Sequence, residues 1–222
     1  MIETACSQEG SVMKRRLSTS ILALAGVVMT GVAIAQDLSS IPPSPPIVFE
    51  AAGASTTEHP PNQDSPRDLF FRAMAYEAGD RVPQDFAEAA RLYKEAIAQG
   101  YQQAYGLLGR LYWEGWGVEQ DSEEAFRLYR LGLAVGDQWA QYFMGRLYLD
   151  GDRVDADRSE AFRLFQLSAQ QDNARALTLL ALMYLDGDVT EGDPHEAKRL
   201  LERAAPTFGL ARRLLARLKL PS

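Results

Sequence analysis

The sequence predicts an all-α fold: a superhelical solenoid of four helix-turn-helix repeats with a 36-residue period, closed by a C-terminal capping helix. Two observations predict it. One is an unbroken internal register. Tyr76, Tyr112, Tyr148 and Tyr184 stand 36 residues apart, as do Gly79, Gly115, Gly151 and Gly187, Asp85, Asp121, Asp157 and Asp193, and Ala89, Ala125, Ala161 and Ala197. A fixed period of this size marks stacked supersecondary units. The other is that every copy carries the start and stop signals of a helix pair.

Residues 1–35 precede any fold. Lys14, Arg15 and Arg16 stand before an apolar run from Ile21 to Ala35, which ends in Ala33-Ile34-Ala35. That order is a secretory signal peptide, with cleavage expected before Gln36. The run of 15 residues is shorter than a bilayer-crossing helix requires, so no transmembrane span is expected after cleavage. The expected location is periplasmic or secreted. Cys6, the single cysteine, lies upstream of the run, so the mature chain has no disulfide, no thiolate metal site and no cysteine nucleophile.

Residues 36–66 form a second region. Pro42, Pro43, Pro45, Pro46, Pro60, Pro61 and Pro66 oppose helix there, and the composition is that of an extended linker. Ile47-Val48-Phe49 is its one apolar patch, either part of a solvated tether or a strip that docks onto the repeats or a partner.

Residues 67–222 form the repeat domain. In the second copy a first helix is expected from about Ala104 to Glu114, ended by Gly115 at a left-handed C-cap. Val118 plugs the loop, Asp121 caps the second helix, and Glu124 is expected to complete an acidic capping box. The same pair recurs as Asp85/Glu88, Asp157/Glu160 and Asp193/Glu196. Ala125, Leu128, Tyr129 and Leu133 give the second helix its apolar stripe. Small residues mark where the helices of a pair cross: Ala73, Gly109, Gly145 and Ala181 on the first, the alanine column on the second. After Pro206, Leu210 to Leu220 read as one more helix, which caps the stack.

The segment Ala140-Gln141-Tyr142-Phe143-Met144-Gly145-Arg146-Leu147-Tyr148-Leu149-Asp150-Gly151 resembles the opening of a Sel1-like repeat, a relative of the tetratricopeptide repeat, and Gly115-Trp116-Gly117-Val118-Glu119-Gln120-Asp121 resembles that family's loop. The resemblance spans about residues 67–205. It implies a right-handed superhelix with first helices on the concave side, and adaptor or scaffold roles in signalling, envelope assembly and host contact. Some secreted relatives carry a disulfide in every repeat and act on β-lactams; this chain lacks those cysteines.

The side-chain inventory points to binding. His59 and His195 have no histidine at helical spacing, so neither makes a zinc site, and no nucleophile elbow or phosphate loop is present. The acids Asp150, Asp152, Asp155 and Asp157 lack the spacing of a calcium loop. No catalytic residue, metal or cofactor is therefore expected. Without residues 1–35 the net charge is −8, which argues against nucleic-acid binding. Arg91, Arg127, Arg163 and Arg199 each follow a glutamate by three residues, a structural pairing. The first helices instead offer apolar and aromatic residues with arginines: Tyr105, Leu107, Arg110, Trp113, Phe143, Arg146, Leu149 and Leu179. On the concave side these would form a groove for a protein or peptide partner, since aromatics and arginine dominate binding hot spots; the alternative is that several are buried between neighbouring helix pairs. A monomer is expected. The alternatives are an envelope scaffold tied to polysaccharide or peptidoglycan machinery, and a lactam-binding hydrolase.

The signal sequence gives the first prediction. Mass spectrometry of the protein from its native host should show a mature N-terminus near Gln36. A full-length cytoplasmic product would remove the export reading.

Overall fold

The structure, a computed structural model, describes residues 64–187, 189 and 191–218. The signal-sequence and proline-rich regions lie outside these residues, apart from the last three positions of the linker. The described residues form nine α-helices and no strand. In chain order they are α1 (Pro66–Ala78), α2 (Phe86–Ala98), α3 (Tyr105–Glu114), α4 (Ser122–Ala134), α5 (Gln138–Asp150), α6 (Arg158–Gln170), α7 (Ala174–Asp186), α8 (Pro194–Ala204) and α9 (Gly209–Arg217). A 3₁₀ turn, Gln102–Ala104, occupies the start of the expected first helix of the second copy. The helices pack as pairs α1–α2, α3–α4, α5–α6 and α7–α8, stacked in order, with α9 against α8.

Each pair is closed by the columns that define the period. The glycine column ends every first helix in the left-handed region, with φ of 69° to 72° at Gly79, Gly115, Gly151 and Gly187. Asp85, Asp121, Asp157 and Asp193 then cap the second helices, each carboxylate accepting two backbone N–H groups at 2.9–3.0 Å. The backbone N–H of each of these aspartates donates back to the carbonyl of the column tyrosine, at 2.9–3.1 Å. That bond corrects the expected capping box. A box needs the glutamate to accept from the aspartate N–H, which is already donated to Tyr76, Tyr112, Tyr148 or Tyr184. The glutamates instead hold the arginine column in bidentate pairs at 2.6–2.8 Å: Glu88–Arg91, Glu124–Arg127, Glu160–Arg163 and Glu196–Arg199. A complete capping box does form at α1, between Ser65 and Asp68.

The small-residue columns sit at the crossings as expected. A Cβ on Gly109 would meet the Tyr129 ring at 2.6 Å, and one on Gly145 the Phe165 ring at 2.7 Å. Gly106 serves the contact between pairs: a Cβ there would lie 2.3 Å from the backbone nitrogen of Ala140, so α3 and α5 meet backbone to backbone. Ala89, Ala125, Ala161 and Ala197 are all fully buried.

Two charged groups are buried where the first pairs join. Glu77 of α1 forms an ion pair with Arg110 of α3 and accepts a hydrogen bond of 3.0 Å from the Tyr93 hydroxyl of α2. Both charges are about 98% shielded from solvent. Burial, and secondarily repulsion from Arg175, pull the Arg110 guanidinium down to about 10, so it stays charged at neutral pH. Asp137, fully buried, caps α5 through the Trp139 N–H at 2.9 Å and accepts the Gly106 N–H of α3 at 2.6 Å. Desolvation raises its carboxyl to about 7, although these backbone donors favour the charged form.

Two predictions follow from these groups. Arg110→Met leaves Glu77 buried without its cation and should cost about 3–5 kcal/mol in denaturant unfolding, whereas the double change Glu77→Leu with Arg110→Met should recover much of that loss. Asp137 gives a pH dependence. Its folded carboxyl titrates near 7 against an ordinary 3.8, so the native state holds the proton more tightly. Its contribution is therefore most favourable at acid pH and is lost as pH rises toward and through 7. The carboxylates lowered by arginine partners, Glu88, Glu124, Glu160 and Glu196, act below 4.5. Melting temperature should fall between pH 5 and 8, and Asp137→Asn should flatten that slope. An unchanged slope would show that another group carries it.

Candidate binding surface on the first helices

The 36-residue columns align equivalent positions of α3, α5 and α7. One line runs Arg110, Arg146 and Leu182; the next runs Trp113, Leu149 and Leu185; a third runs Trp139 and Arg175. Most of this surface is closed. Trp139, Tyr142, Arg175, Thr178 and Leu182 are buried, leaving access near the C-terminal ends of the first helices. There Trp113, Leu149 and Leu185 are half-buried, and the Arg146 side chain is 46% exposed.

The eight residues expected to line a groove divide into three groups. Leu107, Arg110, Phe143 and Leu179 are buried, which corrects the expectation for them. Leu107 is fully enclosed in the core. The Arg110 guanidinium lies between the Trp116 and Phe143 rings, 5.5 and 5.9 Å from their centroids, and faces Glu77. The Phe143 ring stacks on Tyr129 of the preceding pair at 5.5 Å. The physical reason is that successive pairs approach closely at Gly106, so this column is filled by neighbouring helices. Tyr105 forms the second group. It lines a different hollow of about 310 Å³ with Lys94, Ile97, Leu108, Tyr112 and Arg127, between α2, α3 and α4. Trp113, Arg146 and Leu149 form the third and remain partly accessible.

The electrostatics of the accessible strip centre on Arg146. Asp150, one turn on, lies 3.7 Å from it, and Glu114 of α3 is also within electrostatic range. Partial burial weighs against its charge, but the Tyr142 phenol and these two acids outweigh that and raise the guanidinium above its ordinary value. Tyr142 also bonds to Arg175, whose own value is lowered, chiefly by burial. The 46%-exposed Arg146 guanidinium, on the same C-terminal turns as the half-buried Trp113, Leu149 and Leu185, suits an apolar segment carrying an acidic group. Tyr142 and Arg175 were not singled out from sequence. The signal that finds them is adjacency in the repeat register: Tyr142 precedes Arg146 by one turn, and Arg175 follows Tyr142 by nearly one period.

Among the described residues, no group of three or more His, Cys, Asp or Glu side chains is placed to hold a metal ion. No described helix is long and apolar enough to cross a membrane.

The Sel1 repeat family model matches residues 68–101, 102–137, 140–173 and 174–205. No curated protein matches the chain. Similar solved structures include the following two. One is c5321, a protective antigen present in uropathogenic Escherichia coli strains and displaying an SLR fold; it is 31% identical, with a TM-score of 0.52, over 68% of this chain and 32% of that one. The other is a Sel1 repeat protein from Oxalobacter formigenes, 27% identical, with a TM-score of 0.56, over 69% of this chain and 63% of that one. This chain thus spans about a third of the first protein's structure and under two thirds of the second's. With four matched repeats in the register that the tyrosine, glycine and aspartate columns define, the chain belongs to the Sel1 repeat family.

Proposed function

We propose that this protein is an exported interaction module that holds a protein or peptide segment along the strip formed by Trp113, Arg146, Leu149 and Leu185. Sel1 repeat proteins are generally protein–protein interaction scaffolds, and a helical solenoid offers the long surface such a role needs. The observation that carries the reading is the contrast along the first helices. Their middle turns are closed by neighbouring pairs, while their C-terminal turns keep an indole, two leucines and a 46%-exposed guanidinium at the surface. The apolar members supply desolvation energy to a bound segment, and the exposed Arg146 favours an acidic side chain on it. Export rests on the basic–apolar–small order of residues 14–35. Supporting a binding role over catalysis, the strip pairs no nucleophile with a base.

Site-specific photo-crosslinking in the native host tests the proposal. A crosslinker at Trp113 or Leu149 should capture one discrete partner, while the same group at Leu131 of the second helix α4, or at Val135 just past its end, both exposed, should not. Arg146→Glu should weaken that partner's binding about tenfold or more in the folded fraction, with any stability loss from repulsion by Asp150 and Glu114 read separately by thermal melting. Crosslinks confined to Leu131 or Val135, or unchanged affinity in Arg146→Glu, would move the binding surface elsewhere.

A further inference from the structure

One column of the repeat is treated differently at the start of the stack. Phe71, Leu107, Phe143 and Leu179 occupy the same position in successive first helices. Leu107 is 0% exposed and Phe143 and Leu179 are each 8% exposed, but Phe71 is 48% exposed. The cover for Phe143 includes the helix pair before it, through the stack on Tyr129 of α4. No described helix precedes α1. Its neighbour Phe70 turns inward, with ring centroids 5.8 Å from Tyr93 and 4.9 Å from Tyr101. Phe71 is left with the edge of Phe70 on one side and the Arg67 guanidinium 5.4 Å over its face. The opposite end is finished differently: α9 packs on α8, buries Ala211, and places Phe208 beneath Arg175. One half-exposed aromatic ring is thus left at this end of the stack, where terminal units are normally given a cover.

We propose that the chain's own Ile47-Val48-Phe49 segment covers this end, laying its apolar side chains over Phe71. Between Gln36 and Pro66 it is the only run of three consecutive bulky apolar residues. Sixteen residues, 50–65, separate it from α1, a reach of about 50 Å when extended, whereas packed helices lie only about 10 Å apart. Tethering on so short a linker gives an effective concentration of order millimolar, enough for a small apolar contact to persist. The preceding prolines, Pro42, Pro43, Pro45 and Pro46, favour extended backbone, so the cover is a strip rather than another helix pair. The occupant is therefore this chain and not a second copy or a foreign protein.

The test uses the full chain carrying Cys6→Ser, which has no other cysteine. Val48→Cys with Arg67→Cys should be joined within one chain by a short bismaleimide, while Val48→Cys with Arg130→Cys, on α4, should not. Hydrogen exchange of α1 amides should quicken about tenfold in Ile47→Ser/Val48→Ser/Phe49→Ser. Phe71→Ser, a change at an exposed ring that the fold tolerates, should give the same rise, and the combined variant no more. Equal crosslinking at both positions, or exchange indifferent to the strip, overturns the proposal. A concentration-dependent dimer abolished by Phe71→Ser also overturns it and assigns the face to a second copy.

Discussion

The architecture depends on one backbone hydrogen bond made four times. The aspartate that starts each second helix donates its N–H to the carbonyl of the tyrosine near the end of the first. Because the same aspartate's carboxylate caps the second helix, one residue ties two helix ends together. The glycine between them supplies the left-handed turn that makes this geometry accessible. With the angle inside each pair set locally, the alanine and glycine columns bring the helices into close contact, and pairs of one shape stack in one way.

The interfaces between pairs are less uniform than the pairs themselves. The first two pairs share the buried Glu77–Arg110 ion pair, and the second and third share Asp137. At the position equivalent to Asp137 the next copy has Asn173, which caps α7 through Arg175 and Ala176 with a neutral side chain. Neutral Asn173 performs the cap, so the charge of Asp137 is not required for capping. What Asp137 adds is the bond across to Gly106, made by its second oxygen. Neutral Asn173 also reaches the preceding pair, its Nδ2 donating to the Gln138 carbonyl at 3.5 Å, so Asp137 gives the shorter of the two links at the cost of a buried carboxyl.

Much of the fold was legible because its determinants are local and repeated. Helix ends, caps, crossing residues and the arginine–glutamate column follow from spacing, and the structure places them accordingly. The capping box failed because its acceptor role presupposed a free aspartate N–H, and sequence does not show that the preceding tyrosine carbonyl has claimed it. The binding strip was only partly legible. Arg110 and Arg146 are one period apart and chemically identical, yet one is 2% exposed and the other 46%. The difference lies in their surroundings: α1 provides the buried Glu77 against Arg110, whereas the acids near Arg146 are the exposed Asp150 at 3.7 Å and Glu114. Exposure at such positions is decided by neighbours more than thirty residues away, which periodicity alone does not reveal.

The arginine–glutamate column has a mechanical consequence. All four pairs are internal to one helix, three residues apart, and none of them joins two repeats. Bending the solenoid alters the spacing between neighbouring second helices but leaves each of these pairs intact. The column therefore covers the second helices in compensated charge without joining one repeat to the next, and the links between repeats are the backbone contact near Gly106, the buried Asp137 and ion pairs such as Arg153–Glu123 and Arg203–Asp172. Flexing between neighbouring repeats would leave the arginine–glutamate column untouched and load only those links.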